Sequence, residues 1–261
     1  MRFSLTLNGQ QGALIPINYQ YPLSAVIYRI LEAADSNYAR FLHDTGYRQQ
    51  EGQKSFKLFT FSDIRVPFSI KGDRLQLKAP EAAVTVSFHL PRAAENFIRG
   101  LFMNQQIEIA DKRSRAFFNI SQVEALPSGL SGEEVQELLL QPLSPVICGK
   151  KNERSNYDFL PPEHPEFISQ LMYNWKEKYR TIYGDAETGF EDADMEVVFY
   201  ANPPRSRLLT IKANSDQETK IRGFVNFRLK VRGKREALEL LINSGAGLYN
   251  AQGMGCLGLA K

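Results

Sequence analysis

The chain has 261 residues, 43% of them hydrophobic, a net charge of +3 and two cysteines. That length suits one large domain or two small ones with a real core, and so small a net charge excludes a chain that traps nucleic acid by bulk charge alone. Cys148 and Cys256 stand too far apart to form a metal-type pair, which points to a reduced, cytoplasmic interior; the opening apolar run is too short for a signal peptide, and no stretch approaches the ~18 apolar residues of a membrane helix.

Residues 2–7 read as a strand, and Leu23 to Ala34 carries apolar residues at the 3.6-residue spacing of an amphipathic helix. A second, short helix is predicted over about Asn37 to His43, with Gly46 as its C-cap. Strands follow near Phe56–Phe61, Arg74–Lys78 and Val84–Leu90. Pro91 opens a helix to about Phe102. Strands near Ile107 and over Phe117–Glu124 close this half, and the Pro/Ser/Gly-rich stretch after Leu126 is a junction. The second half is predicted to start with a strand over Leu143–Cys148, followed by a long helix over Pro162–Tyr183 and a strand over Met195–Tyr200. Basic strands, a helix over Arg235–Asn243 and a last strand over Cys256–Ala260 complete it. Both halves read β-α-β-β-α-β, the order of the ferredoxin-like fold and of RNA-recognition modules. The expected class is α+β, with two tandem ferredoxin-like (RRM-like) domains, 1–128 and 129–261.

From Pro203 to Arg235 there are ten Lys/Arg against two acids, while Asp185 to Glu196 holds six acids and no base. Such blocks fit a salt-bridged surface as readily as a binding face. The alternation of Arg205 and Arg207, and of Arg228, Lys230 and Arg232, puts each basic set on one sheet face. With Arg222, two such strands turning near Asn214-Ser215-Asp216 would form a basic ribbon able to follow a phosphate backbone.

Beyond the helix at 235–243 the chain reads Gly245-Ala-Gly247, five residues, then Gly253-Met-Gly255. Glycines at this spacing fit a loop of accessible amides suited to a phosphate; they also fit a long turn. A dinucleotide fingerprint is excluded because the loop follows a helix and no helix comes after it. A P-loop is excluded because no Gly-Lys-Ser/Thr is present.

These features resemble, as a set, the CRISPR-associated endoribonucleases that cut precursor CRISPR RNA within its repeats, members of the RAMP superfamily. The Gly-x-Gly-x5-Gly-x-Gly loop is intact at 245–255. Further landmarks agree in order and spacing: Val26-Ile27-Tyr28, Leu42-His43, Lys57-Leu58-Phe59-Thr60-Phe61-Ser62, Gly100-Leu-Phe-Met-Asn104, Leu143-Ser-Pro, Tyr183-Gly184-Asp185 and Met195-Glu-Val. One departure is that Leu248 to Gln252 carries no Lys or Arg, where family loops often do. The resemblance implies a Tyr/His/Lys catalytic set at Tyr28, His43 and Lys57; the charge and alternation of Arg205, Arg207, Arg222, Arg228, Lys230 and Arg232, together with the four glycines, give the expected RNA-binding surface. The resemblance implies no cofactor and no metal. The expected partners are precursor CRISPR RNA repeats and CRISPR effector proteins, with no membrane, and the chain is either a monomer or a homodimer.

Each residue also has a plainer reading. Tyr28 fits a tyrosine half in the core with a wet hydroxyl, His43 a helix-end residue, and Lys57 a strand-end lysine reaching for water. The side-chain types nevertheless suit metal-free RNA cleavage. A ribose 2′-OH attacks the neighbouring phosphate, a base and an acid move protons, and a cation steadies the phosphorane. His43, at a helix C-terminus beside Asp44, suits acid or base. Tyr28 suits base or orienter, and Lys57 charge stabilisation. His89 and His164 lack partner spacing and read as structural. Asp192, Asp194 and Glu196 read as an acidic loop entering a strand rather than as metal ligands. A catalytically idle RNA-binding subunit and a metal-dependent phosphodiesterase remain as competing classes.

Overall fold

The computed structural model describes residues 1–260 except 51–53, 133, 154–155, 185–188, 200–202 and 214–215. The first half runs β1 (Arg2–Asn8), β2 (Leu14–Pro16), α1 (Gln20–Ala34), α2 (Ser36–Arg40), β3 (Phe59–Phe61), β4 (Phe68–Lys71), β5 (Arg74–Leu77), β6 (Glu81–Phe88), α3 (Pro91–Met103), β7 (Gln106–Ala110) and β8 (Arg115–Leu126). Period-two alternation buries Phe3, Leu5 and Leu7 of β1. The 3.6-residue stripe of α1 buries Leu23, Val26, Ile27, Ile30 and Leu31 against them. The sheet order is β3-β6-β1-β8-β7, and β2, β5 and β4 form a small separate sheet.

The second half runs β9 (Val135–Pro142), β10 (Gly149–Lys151), β11 (Tyr157–Phe159), α4 (Phe167–Tyr183), β12 (Asp194–Phe199), β13 (Arg205–Ile211), β14 (Thr219–Val225), β15 (Phe227–Lys234), α5 (Arg235–Ser244) and β16 (Leu257–Leu259). Its sheet order is β12-β15-β9-β16. In both halves the four framework strands lie second-third-first-fourth, with two helices on one face. This is the ferredoxin-like arrangement, present twice in tandem. The second core gathers Phe227, Leu229 and Val231 of β15 with Phe167, Leu171 and Trp175 of α4 and Leu238 and Leu241 of α5. Phe56 and Leu58, from the first half, are buried in that same core.

Three expectations are corrected. The leading strand of the second half is β9, not Leu143–Cys148. Pro145 offers no N–H to a ladder, and Val146 and Ile147 make only single bridges, to Phe224 and Gly247. The long helix starts at Phe167 rather than Pro162. Three prolines, 161, 162 and 165, hold the chain before it in a turn closed by His164 N–H to Pro161 O and Phe167 N–H to His164 O (both 2.9 Å). The basic ribbon pairs β13 with β14, not with the strand carrying Arg228, Lys230 and Arg232. That strand is β15, whose two edges are already taken by β12 and β9. Of the turn near 214–216, Asn214 and Ser215 lie outside the described residues, as do Asp185 and Tyr200.

Among the described residues no helix is long and apolar enough to cross a membrane.

Candidate functional site

The sequence around His43 departs from regular helix at a telling point. After α2, residues Phe41–Thr45 form a single π-helical turn, closed by Gly46 N–H to Phe41 O at 2.7 Å. Gly46 takes a positive φ of 67° and ends the element. Such widened turns rotate a side chain away from the helical register and recur at functional sites. Here Leu42 stays buried while His43 stands out, its side chain 68% exposed.

His43 Nδ1 lies 2.8 Å from Asp44 Oδ1. A carboxylate at that nitrogen orients the ring and leaves Nε2 for a substrate. Tyr28, on α1, meets the His43 ring edge-on at 5.1 Å and the Phe59 ring at 5.6 Å. Burial of its phenol pushes the pKa well above the ordinary tyrosine value. Tyr28 is therefore a protonated donor near neutral pH, suited to orienting rather than to taking a proton.

Lys57 reaches the same place from a strained segment. Leu58 has a positive φ of 54°, an outlying conformation for a leucine. Its side chain is locked in the second core, and this twist sends Lys57 back toward the π turn. Lys57 Nζ donates to His43 O at 2.8 Å. Partial burial lowers its pKa from the ordinary lysine value, with the Asp44 charge opposing that shift. Two ammonium donors remain for an anionic group.

Tyr28, His43 and Lys57 therefore line one cleft of about 380 Å³, and its opposite wall is the glycine-rich loop from Gly247 to Gln252. The loop differs from the expected row of open amides. All four glycines have positive φ and are buried. The amides of Gly245, Ala246, Leu248, Gly253 and Gly255 donate to carbonyls within the protein. The glycines shape the wall, and residues 248–252 present it.

Lys178 pins this loop from beneath. It is 2% exposed, and its Nζ donates to Gly245 O (2.6 Å), Asn250 Oδ1 (2.7 Å) and Ser244 O (3.4 Å). Burial, then the nearby Lys54 charge, lowers its pKa well below the ordinary lysine value. Asn250 Nδ2 in turn donates to Ala246 O (2.9 Å) and Met254 O (3.0 Å), tying both Gly-x-Gly arms together. Sequence reasoning missed Lys178, Asn174 and Lys54. The signal was present for the first two. The buried stripe of α4 is Phe167, Leu171, Asn174, Trp175, Lys178 and Tyr179, so a lysine and an amide sit at apolar positions.

Gly255 shows what the loop requires. Its φ is 68°, and a Cβ there would lie 1.9 Å from Ala246 O. Gly255→Val is expected to cost about 1–2 kcal/mol for the left-handed backbone and about 1–3 kcal/mol for overlap that must be relieved. Thermal melting should show Tm lowered by roughly 5–15 °C. Gly12→Val, at φ 85° but with nothing within 4 Å, carries only the backbone cost and should shift Tm by less than half as much.

The basic candidates divide. Arg207 of β13 is ion-paired to Asp63 of the first half. Arg222 lies on the opposite ribbon face, opposite Leu208 in register, and donates to Ser206 Oγ at 3.0 Å. Arg205 is exposed at the start of β13. Arg228, Lys230 and Arg232 stand on the β15 face away from the core, and Lys230 meets Glu137 at 3.2 Å and Glu196 at 3.9 Å. None of these six lines the cleft. His89 Nε2 lies 3.1 Å from Tyr183 Oη across the two halves, and burial lowers its ring to about 4. His164 Nδ1 accepts from Glu166 N–H at 3.1 Å. Among the described residues no group of three or more His, Cys, Asp or Glu side chains is placed to hold a metal ion.

This chain matches two adjoining family descriptions: CRISPR-associated protein Cas6, N-terminal, over residues 14–123, and CRISPR associated protein Cas6, C-terminal, over residues 130–259. It is 25% identical over 260 residues to the CRISPR-associated endoribonuclease Cas6 1 of Methanocaldococcus jannaschii, covering 98% of this chain and 91% of the relative. It is 27% identical over 215 residues to the CRISPR-associated endoribonuclease Cas6 of Pyrococcus furiosus, covering 80% of this chain and 74% of that one. A solved structure described as the product of a Cas6-related gene from Pyrococcus furiosus superposes with a TM-score of 0.80 at 19% identity, covering 100% of this chain and 98% of the other. The tandem fold, the glycine-rich wall and matches spanning both halves lead to one assignment: the chain belongs to the Cas6 family of CRISPR-associated proteins.

Proposed function

We propose that this protein is an endoribonuclease that cuts precursor CRISPR RNA within its repeats, without a metal ion. The observation that carries the reading is the meeting of Tyr28, His43 and Lys57, from three separate elements, in one cleft walled by the glycine-rich loop. The names of its relatives agree with the substrate class. In the proposed division, residues 1–128 supply the cleaving groups and 129–261 the loop and basic strands that hold RNA.

The ribose 2′-OH upstream of the scissile bond attacks phosphorus, the P–O5′ bond breaks, and the products are a 2′,3′-cyclic phosphate and a 5′-OH. The 2′-OH proton passes to solvent water, and His43 delivers a proton to the departing 5′-oxygen through Nε2. Tyr28, kept protonated by burial, donates a hydrogen bond that orients the phosphate. Lys57 supplies positive charge to the phosphorane, where a preorganised cation counts most. Arg205, Arg207, Arg222, Arg228, Lys230 and Arg232 are proposed to hold the flanking RNA backbone.

The test is cleavage of a repeat RNA in excess EDTA, with the ends of both products identified. Undiminished cutting with a 2′,3′-cyclic phosphate end is expected. Loss of cutting that returns on adding a divalent cation, or a 5′-phosphate product, would overturn the metal-free route.

A further inference from the structure

Beside the cleft lies a second cavity of about 490 Å³, and the two share Lys54, Asn174, Gly247 and Leu248 as a common wall. The groups around it are of another kind. Tyr173 stands on the outer side of α4, 58% exposed, at the rim. Tyr157, half-buried on β11, forms a second aromatic wall. Its ring is held in place by Phe159, stacked on it at 6.5 Å and 24°. Gln170, Asn174, Lys54 and Lys151 also line it. With its amide oxygen facing Lys54 Nζ (2.7 Å), Asn174 donates to Gly247 O at 2.9 Å, which ties this cavity to the glycine-rich wall. The side chains that carry the proposed cleavage chemistry do not line it.

Aromatic faces, an amide and ammonium groups together are the components of a site for an unstacked nucleobase and its phosphate. The volume lies in the range of cavities that hold small ligands. We propose that this cavity takes the base of a nucleotide adjacent to the scissile phosphate, splayed out of its stack and laid against Tyr173 and Tyr157. The inference rests on the RNA-cleaving reading above and adds a specificity site to it. Splaying one base swings the sugar-phosphate backbone at the neighbouring linkage, and this brings a 2′-OH toward in-line attack. The tyrosine faces accept any base, whereas the Gln170 amide discriminates among base edges, with Asn174 fixing Lys54 and Gly247 behind it.

The experiment uses the full chain and a repeat RNA made uncleavable by a deoxyribose upstream of the cut. Single abasic nucleotides are walked across the flanking positions, and Kd is measured at fixed salt for the wild type, Tyr173→Ala and Tyr173→Phe. In the wild type, one abasic position next to the cut should weaken binding about tenfold, within the range for one lost base–aromatic stack. Tyr173→Ala should weaken binding of the intact RNA by a similar factor and should be insensitive to that abasic position. Tyr173→Phe should bind as the wild type does. Tyr173 is largely exposed, so equal melting temperatures are expected and serve as the folding check. Equal abasic penalties in the wild type and Tyr173→Ala would overturn the inference, as would a wild type with no sensitive position beside the cut. If the wild type cuts the parent RNA, such a result removes the base site alone. If the wild type neither binds nor cuts repeat RNA, the proposed function falls with it.

Discussion

His43→Ala is expected to slow single-turnover cleavage of repeat RNA by about 10²-fold or more, the scale of a lost general acid or base. The ring is held by Asp44 on one nitrogen and by the Tyr28 ring on its flank, so its removal takes away the proposed proton carrier without disturbing the core. Its side chain is 68% exposed, and Tm should hardly move. Affinity for an uncleavable RNA should stay within roughly threefold, about 0.6 kcal/mol, because a single imidazole adds little to a surface of backbone contacts. The measurement is a rate under enzyme excess beside a titration. A wild-type rate would return His43 to a helix-end residue and move the chemistry elsewhere. A loss of affinity as large as the loss of rate would make it a binding group instead.

Replacing the ribose 2′-OH upstream of the scissile phosphate by hydrogen should abolish cutting at that bond altogether. The attacking nucleophile belongs to the substrate in this mechanism, so no arrangement of Tyr28, His43 and Lys57 can restore it. The deoxy RNA should still bind with nearly wild-type affinity, since one hydroxyl among many contacts is lost, and it should compete with the natural RNA. Cutting of the deoxy RNA at the same position would require water as nucleophile and would sink the transesterification route.

Much of the framework was legible because its signals are local. The alternation in β1, the apolar stripe of α1 and Pro91 at the head of α3 each report burial on one face of one element. The strand pairing of the basic segment was not legible, because alternation tells which face a side chain takes but not which neighbour the strand finds. Residues 227–232 alternate as an exposed hairpin would, yet β15 lies inside the four-stranded sheet. The candidate site was named as residue types at 28, 43 and 57 through resemblance, and the three do line one cleft, but its support was not legible. The π turn under His43, the positive φ at Leu58 and the ammonium of Lys178 beneath the loop all depend on contacts between distant segments. The glycines show the limit most plainly. Their spacing announced positive φ, and all four adopt it. It did not announce that the amides of Gly245, Gly253 and Gly255 would be used up inside the protein.

The loop that walls the cleft belongs to the second half by sequence and to both by packing. A Cβ at Gly253 would lie 2.3 Å from Phe61 of β3, Thr60 Oγ1 donates to Met254 O at 2.9 Å, and Ser24 Oγ of α1 donates to Ala251 O at 2.7 Å. Phe56 and Leu58 make the reverse crossing into the second core. The two ferredoxin-like halves are therefore not exchangeable modules. A graft of one half onto the partner half of a diverged relative is expected to disturb the second core as well as the cleft. Position 253 is thereby tied to position 61 across the junction, because any side chain at 253 would meet the Phe61 ring.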